Sequence, residues 1–487
     1  MSLDLSLLVG NTNVRHLETT LKIDHRRLDL QALLTEGRTA AKVGHAMLSA
    51  TPRAATQDAV ACVVKYLPPG RDSVDEADRH SDAFKAGEEF QPQLSQMLAG
   101  RAPIVLADGG ILMFYADAGS RTALSLHYSD DLVDLCRSVA AGVLGTWNPG
   151  FGYRPESASA LLLDMLGGRL NPGRPLHTWL ARRPELGPAT LWTTVAGGAR
   201  MINPHALAAG AFDPVTVSTL TGRTHGDLHL SNIVLHDEWS TSAPDRYKLI
   251  DLGGYEPDGP VARDPAHLVL SVVARHLPDL RDDARIALAE ALVHPRGRTR
   301  LPAEIRDVAR VMFAAGEVRA DSKGRAKDWR QQWLLGYVAG GLSFAARDLP
   351  GDGAQQWFFD LAARAATAFL DAVGALPAEP KVIPAQRDGA VADAAAAAVV
   401  STSLSEVIGT TERGPWNRLF NGLMPPALPG DGRDIQARVT AAEVEAFVAW
   451  CAREDRWDRL IEVLEKMRYG EEPLDRLRAA IGATFSR

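Results

Sequence analysis

Two acidic residues and one amide residue near the middle of the chain are spaced in a way that suits phosphoryl transfer. The segment HGDLHLSN spans residues 225–232, and IDLG spans residues 250–253. Moving a phosphoryl group needs a carboxylate that orients the attacking hydroxyl and accepts its proton, together with oxygen ligands for the metal ions that bridge the phosphates. Asp227 fits the first role, and Asn232 and Asp251 fit the second. The four residues between Asp227 and Asn232 match the spacing of such a catalytic loop.

A lysine further upstream could bind the phosphates of a nucleotide. Lys65 lies in the Val-rich run AVACVVKYL at residues 59–67, which we predict to be the third strand. A lysine at this place in the strand order can bind the α- and β-phosphates. It should pair with a glutamate of the following helix, for which Glu88 is our first choice and Glu89 and Glu76 are the alternatives.

A loop rich in small residues lies between the first two predicted strands. It reads EGRTAAKV at residues 36–43. Small residues let backbone N–H groups approach phosphate oxygens, so we expect Gly37, Arg38 and Thr39 to contact the nucleotide. The loop departs from the pattern G-x-G-x-x-G because Gly37 is its only glycine. Gly37 is equally compatible with an ordinary hairpin turn.

Positioning these residues requires a sheet followed by a helical region, and the hydrophobic pattern predicts both. Five apolar runs are typical of strands, with a helical segment at 75–98 between the third and the fourth; the runs are 28–34, 42–48, 59–67, 104–107 and 111–116. Two further regions, 130–220 and 264–376, are mainly helical in composition. Between them, two short runs at 233–235 and 247–250 should pair as strands that deliver Asp251. The fold class that we predict is α+β.

The motifs HGDLHLSN and IDLG resemble those of the aminoglycoside phosphotransferase and choline kinase branch of the protein-kinase-like family. The resemblance covers roughly residues 28–376. It implies a bilobal fold, with a β-rich N-lobe at 1–118 and a helical C-lobe at 119–376, and it implies ATP or GTP with Mg²⁺ as cofactors. It also implies that backbone groups of Ala116 through Ala118 receive the adenine and that Asp264 braces the catalytic loop.

The character of the sequence changes after the second helical region. Residues 377–400 are rich in Pro and Ala and are typical of a linker. Helical periodicity returns in residues 401–487, first in Val444, Phe447, Val448 and Cys451 and then in Trp457, Leu460, Ile461 and Leu464. Residues 447–477 resemble the effector-associated domains of bacterial conflict systems. That resemblance implies a small all-α adaptor domain at 401–487, which binds a protein partner bearing a like domain.

Composition narrows the class of protein further. The 487 residues carry a formal net charge of −7, which does not indicate a nucleic-acid-binding face. Three widely separated cysteines make a disulfide framework or a thiolate metal site an unsuitable interpretation. We find neither a signal-peptide pattern nor an apolar stretch long enough to span a bilayer. We therefore expect a cytoplasmic protein that binds neither nucleic acid nor membrane.

These features together predict an enzyme that transfers the γ-phosphoryl group of ATP or GTP to an acceptor hydroxyl. One hypothesis places this enzyme in a bacterial conflict or signalling assembly, to which residues 401–487 recruit it. A second hypothesis is a stand-alone small-molecule kinase, such as an antibiotic-modifying enzyme, which an acidic acceptor pocket would favour. A third is a non-catalytic nucleotide-binding scaffold. No motif marks the acceptor.

Overall fold

The computed structural model describes most of the first 378 residues and selected positions beyond them. The described residues are 3–34, 41–50, 59–98, 101–119, 121–126, 130–294, 301–349, 351, 353–378, 400, 404, 408, 444, 447, 448, 451, 457–466 and 471–485. The chain divides into two compact units, Met1–Pro377 and Ala378–Arg487. Each unit has its own hydrophobic core, as expected of separately packed domains.

An antiparallel sheet of five strands forms the N-terminal part of the first unit. Its order is β1-β2-β3-β5-β4, and the strands are β1 Arg26–Leu34, β2 Lys42–Ala50, β3 Val60–Leu67, β4 Ile104–Val105 and β5 Ile111–Ala116. Two helices, α1 Ser6–Val9 and α2 Asn11–Ile23, precede the sheet and share a core with β1, β2, β3 and β5. The predicted order of three strands, a helix and two strands is confirmed.

Alternation along β3 explains why Lys65 projects away from that core. Cys62, Val64 and Tyr66 are buried in the core shared with α1 and α2. Successive side chains of a strand point to opposite faces of the sheet, so Lys65 lies on the other face. Ala77 of the following helix packs on that face, which places Lys65 between the sheet and the helix.

The helix that follows β3 is shorter than predicted. Helix α3 spans Arg71–Lys85, and a 3₁₀ turn, Glu88–Gln93, comes after it. Gly87 has φ −146° and ψ 78°, which lie outside the helical region, so the helix does not continue through this residue. Pro92 also lacks the N–H that a longer helix would need. The predicted helix at 75–98 is therefore replaced by a helix and a turn.

Helices dominate the remainder of the first unit. They are α4 Asp130–Ala141, α5 Ala158–Leu166, α6 Pro175–Ala181, α7 Pro204–Ala208, α8 Arg263–His276, α9 Asp282–Val293, α10 Ala303–Asp321, α11 Ala326–Ala345 and α12 Ala354–Ala372. They surround one large core, in which the rings of Trp329, Tyr337 and Phe358 are fully buried. The helical prediction for residues 264–376 is confirmed.

Short strands interrupt the helices, and most of them were not predicted. The strands are β6 Arg121–Thr122, β7 Gly152–Ser157, β8 Trp192–Thr194, β9 Arg200–Ile202, β10 Thr216–Thr224, β11 Ile233–Leu235, β12 Tyr247–Leu249 and β13 Glu256–Pro260. The prediction that residues 130–220 are mainly helical missed β7 and β10. β10 lies between β7 and β13 in one sheet and ends directly before the HGDLHLSN segment. Its β-branched threonines favour a strand.

The strand pair predicted after the HGDLHLSN segment is present. β11 and β12 are antiparallel, with Ile233 opposite Leu249. β6 joins the same small sheet on the outer side of β11. β6, which comes soon after the last strand of the N-terminal sheet, therefore pairs with β11, the strand that follows Asn232.

A sheet-rich N-terminal part and a helical C-terminal part, each with its own core, confirm the predicted α+β class. In the part of the chain that the structure describes, no helix combines the length and the apolar character that crossing a bilayer requires. The expected ends of the N-lobe at residue 118 and of the C-lobe at residue 376 remain predictions.

The second unit is described at its core positions and at two helices, α13 Trp457–Lys466 and α14 Glu471–Phe485. Val444, Phe447, Val448 and Cys451 are helical and buried, as their spacing predicted. Trp457, Leu460 and Leu464 are also buried, and Ile461 packs against the same core. Most of the expected linker at 377–400 lies outside the described residues.

Candidate active site

Lys65 is held between two carboxylates from different parts of the chain. Its Nζ donates to Oε1 of Glu76, on α3, at 2.5 Å, and to Oδ1 of Asp251, directly after β12, at 2.9 Å. The side chains of Lys65 and Glu76 are each 12% exposed. The structure thus places the candidate phosphate-binding lysine against the candidate metal-binding aspartate.

Lys65 and Asp251 each stabilise the charged form of the other. Burial lowers the pKa of Lys65, but the carboxylates of Asp251 and Glu76 raise that pKa by more. Burial raises the pKa of Asp251, but the charge and the hydrogen bond of Lys65 outweigh it and lower the pKa. Burial also leaves the pKa of Glu76 raised, in spite of Lys65. At neutral pH the lysine is therefore protonated and Asp251 is ionised.

The first choice for the partner of Lys65, Glu88, is corrected to Glu76, which was one of the alternatives. The reason is the early end of α3. Because this helix stops at Lys85, Glu88 belongs to the turn that follows, whereas Glu76 lies inside the helix and faces β3. The side chain of Glu88 lies outside the described residues.

A buried aspartate holds the loop that carries Asp227. Oδ2 of Asp264, at the start of α8, accepts from the backbone N–H of His225 at 2.5 Å. Its Oδ1 accepts from the N–H of Gly226 at 2.9 Å. The ring of His225 is also engaged, with Nε2 lying 2.8 Å from the carbonyl oxygen of Ile250. Asp264 therefore braces the loop from the helix side, and His225 ties it to the segment that delivers Asp251.

Gly226 is required by this arrangement. Its φ is +82°, and a β-carbon there would lie 1.9 Å from the carbonyl oxygen of Gly254. A side chain at this position would collide with fixed backbone. The HGDLHLSN loop is thus in direct backbone contact, through Gly226, with Gly254, the residue that follows IDLG.

Asn232 and Asp251 present oxygen atoms that suit a hard divalent cation. Nδ2 of Asn232 donates to the carbonyl oxygen of Asp227 at 2.9 Å, which leaves the amide oxygen as its remaining polar atom. Asp251 uses Oδ1 for Lys65 and retains Oδ2. Its backbone is left-handed, with φ 64° and ψ 56°. Non-glycine residues adopt this conformation uncommonly, and such outliers cluster at functional sites.

Asp227 is surrounded by positively charged and imidazole groups that the sequence analysis did not identify. Nη2 of Arg347, just after α11, donates to Oδ1 of Asp227 at 3.0 Å. Arg169, His229 and His267 each place a nitrogen 3.6 Å from the same carboxylate. Burial raises the pKa of Asp227, but the neighbouring His229 and the charge of Arg347 lower it well below its ordinary value.

The tautomer of His267 follows from its neighbour. Its Nε2 lies 3.3 Å from Nη2 of Arg347, and a guanidinium can only donate, so Nε2 accepts. The proton therefore sits on Nδ1, which points towards Oδ1 of Asp227. Burial and the nearby charge of Arg347 lower the pKa of His267 well below its ordinary value. At neutral pH the ring is uncharged, and Arg347 is the group that neutralises Asp227.

A cleft beside Asp227 opens between the loop, α5, α8 and α11. Its volume is about 240 Å³, part of it open to solvent, and its lining includes Met165, Arg169, Gly226, Arg263, His267 and Ser343. Arg169 and Arg263 had no sequence signal, because each is an isolated basic residue outside any motif. Only the fold brings them to the catalytic loop.

The expected adenine-binding segment is described in part. β5 ends at Ala116, and the backbone N–H of Ala116 donates to the carbonyl oxygen of Gln96 at 2.9 Å. That N–H is therefore engaged within the fold, while the carbonyl group of Ala116 stays a predicted contact of the adenine. The backbone of Ala118 stays a candidate. Gly37, Arg38 and Thr39 lie outside the described residues.

No family model and no curated protein matches the chain. Among solved structures, it is similar to an aminoglycoside phosphotransferase from Ralstonia eutropha, with 11% identity, a TM-score of 0.38, and coverage of 74% of this chain and 98% of that one. A thermostable mutant of the aminoglycoside phosphotransferase APH(4)-Ia, in complex with ADP and hygromycin B, shows 12% identity and a TM-score of 0.37 over 75% and 99% of the two chains. An ethanolamine kinase from Plasmodium vivax shows 9% identity and a TM-score of 0.34 over 72% and 85%. Sequence identities and TM-scores this low show only what the chain resembles. The chemistry of the chain has to be argued from its own residues.

Proposed function

We propose that this protein is a phosphotransferase with a protein-kinase-like first unit, which transfers the γ-phosphoryl group of ATP to an acceptor hydroxyl. The observation that carries the proposal is the placement of Lys65 between Glu76 and Asp251. Two regions that are distant in sequence, β3 with the following helix α3 and the IDLG segment, meet there with the charges that nucleotide phosphates and their metal require. GTP is the alternative nucleotide.

Each residue has a separate task in the proposed reaction. Lys65 binds the α- and β-phosphates, and Glu76 holds its ammonium group in place. Asn232 and Asp251 would hold Mg²⁺, which when bound neutralises charge on the phosphates. Asp227 orients the acceptor hydroxyl and accepts its proton. The bond from the acceptor oxygen to the γ-phosphorus forms as the bond to the bridging oxygen breaks, and ADP leaves with that electron pair.

The second unit is proposed to recruit the enzyme to a protein partner. Its buried positions fall at helical spacing, as expected for a small all-α domain such as an effector-associated domain. The partner would carry a like domain, within a bacterial conflict or signalling assembly. Deleting residues 401–487 should abolish capture of that partner and leave nucleotide binding by the first unit intact.

A nucleotide-binding experiment tests the proposed function. Thermal unfolding would be followed with ATP or GTP, with and without Mg²⁺, for the wild type and for Asp251→Asn. A ligand present at 100 times its dissociation constant stabilises the native state by about 2.7 kcal/mol. We expect Mg²⁺-dependent stabilisation of the wild type and a much smaller effect in the variant. Asp283→Asn, at an exposed position of α9, is the matched control.

Two results would count against the proposal. The first is an unchanged melting temperature of the wild type at millimolar nucleotide with Mg²⁺. The second is equal stabilisation of Asp251→Asn and the wild type, since Asp251 would then contribute nothing to binding. Stabilisation without any transfer to water or an acceptor would favour the non-catalytic scaffold.

A further inference from the structure

Three arginines from three different elements meet at the cleft beside Asp227. Arg169 follows α5, Arg263 begins α8, and Arg347 follows α11. Nη1 of Arg169 and Nη2 of Arg263 both lie within 4 Å of the position that a β-carbon would take at Gly167. Guanidinium groups repel one another, so this convergence calls for negative charge between them.

Among the residues that the structure describes, Arg347 and Arg263 each donate to a carboxylate, whereas Arg169 donates to a backbone carbonyl. Arg347 donates to Asp227 at 3.0 Å, and Arg263 donates to Glu256 at 2.8 Å. Arg169 donates through Nη1 to the carbonyl oxygen of Leu166 at 2.9 Å, whereas its Nη2 lies 3.6 Å from Asp227, beyond hydrogen-bond distance. Burial, followed by the charges of Arg263 and Arg347, lowers the pKa of Arg169 to about 10.

The other carboxylates described nearby make their hydrogen bonds and close ion pairs with other groups. Both oxygens of Asp264 accept backbone N–H groups, and burial raises the pKa of that carboxyl. Three further carboxylates, those of Glu156, Asp164 and Asp258, surround Arg154. The lining of the cleft, as far as the structure describes it, contains two arginines and no carboxylate, so it lacks the acidic groups that a polycationic acceptor would need.

We propose that the acceptor is a small hydroxylated anion, whose carboxylate or phosphate group binds Arg169 and Arg347 while its hydroxyl faces Asp227. This inference rests on the proposed phosphotransferase function. A planar guanidinium can bind either acid group through two parallel hydrogen bonds.

Binding of the anion would also release the base. In the structure Arg347 donates to Oδ1 of Asp227, the oxygen closest to Arg169 and His267 as well. An incoming acid group competes for that guanidinium and leaves Oδ1 to accept the hydroxyl proton. A neutral polyol cannot compete in this way, so it should be a poor acceptor even when it fits.

A panel of acceptors tests the inference. ADP release from Mg²⁺·ATP would be measured with hydroxylated phosphates (glycerol 3-phosphate, 3-phosphoglycerate), a hydroxy carboxylate (glycerate), the neutral glycerol and a cationic aminocyclitol. We expect turnover with the anions and little with glycerol or the aminocyclitol. The phosphate and carboxylate arms show which acid group is preferred. Turnover with the neutral or cationic compounds alone overturns the inference.

Substitutions of Arg169 and Arg347 test whether these arginines bind the anionic acceptor. Arg169→Gln and Arg347→Gln should raise the KM for the anionic acceptor by about tenfold to a hundredfold, the range for losing a charged hydrogen bond. Arg347→Lys should retain part of the affinity. Arg330→Gln, which removes an exposed arginine of α11, is the matched control and should change nothing. Equal KM values for all four variants overturn the inference.

Thermal stabilisation separates failure of this inference from failure of the proposed function. Each arginine variant would be heated with Mg²⁺·ATP alone and with 3-phosphoglycerate alone. Nucleotide stabilisation should stay at the wild-type level, while anion stabilisation should fall in Arg169→Gln and Arg347→Gln. If the nucleotide stabilises the wild type but no anion does, the acceptor inference fails and the proposed function stands. If anions bind and Mg²⁺·ATP does not, both fail, because the cleft is then not an acceptor site.

Discussion

Nζ of Lys65 lies 2.9 Å from Oδ1 of Asp251, although 186 positions of sequence separate the two residues. One belongs to the N-terminal sheet and the other follows a strand of the helical part. Their contact therefore couples the folding of the two cores of the first unit. It also means that a substitution of Lys65 changes stability and ligand binding together.

Lys65→Met should reduce both stability and nucleotide binding. Breaking a buried ion pair by removing one partner typically costs about 3–5 kcal/mol, because the other charge stays buried without compensation. Here Glu76 would be left in that position. Urea unfolding and Mg²⁺·ATP stabilisation would measure the two effects.

The double variant Lys65→Met/Glu76→Gln distinguishes those effects. It removes both charges, so we expect it to recover part of the lost stability without recovering nucleotide binding. Lys22→Met, on α2, controls for loss of a lysine elsewhere. Recovery of nucleotide binding in the double variant would show that Lys65 does not contact phosphates.

Gly226→Ala should destabilise the first unit by far more than a change of backbone preference can explain. A left-handed conformation costs a non-glycine residue about 1–2 kcal/mol. Gly324 has φ +69° with open space around its β-carbon position, so Gly324→Ala reports that cost alone. Gly226→Ala adds a collision with the carbonyl oxygen of Gly254. Midpoints of urea unfolding would be compared, and equal midpoints for the two variants would contradict the collision.

His80 should make the protein less stable in mild acid. It is buried, its Nε2 lies 2.9 Å from the carbonyl oxygen of Ser95, and burial lowers its pKa from 6.5 to about 4. Between these values the unfolded chain binds more protons than the native one, so the free energy of unfolding falls as the pH falls. From pH 7 to pH 5 this contribution is about 2 kcal/mol.

His80→Gln isolates that contribution. Other buried groups, including His267, titrate equally in the wild type and the variant. The difference in unfolding free energy between the two proteins should therefore change by about 2 kcal/mol between pH 7 and pH 5, with the wild type losing more. An identical pH dependence for both would mean that His80 is solvated in the native state.

Sequence reasoning succeeded where a motif or a period was present. The five strands of the N-terminal sheet and the helices of residues 264–376 have clear hydrophobic patterns, and the structure contains them. Asp227, Asn232 and Asp251 stand out because their spacing is itself a signal. The structure brings Asp251 to Lys65 and Asn232 to Asp227.

Sequence reasoning failed where the position of a residue or strand depends on packing between elements that are distant in sequence. Glu76 and Glu88 are both glutamates after β3, and only the true end of α3 decides between them. β10 is rich in threonine, and its pairing with β7 and β13 could not be read from one strand alone. Arg169 and Arg347 stand 178 positions apart with no motif around either, so only the folded chain brings both to Asp227.

The backbone of Asp251 has an evolutionary consequence. A left-handed conformation disfavours any residue with a β-carbon, and glycine adopts it without strain. A lineage that had lost its chemistry would be free to accept glycine at this position, which would relieve about 1–2 kcal/mol of backbone strain. An aspartate kept there, with its carboxylate on Lys65, is what continued selection for nucleotide chemistry would maintain.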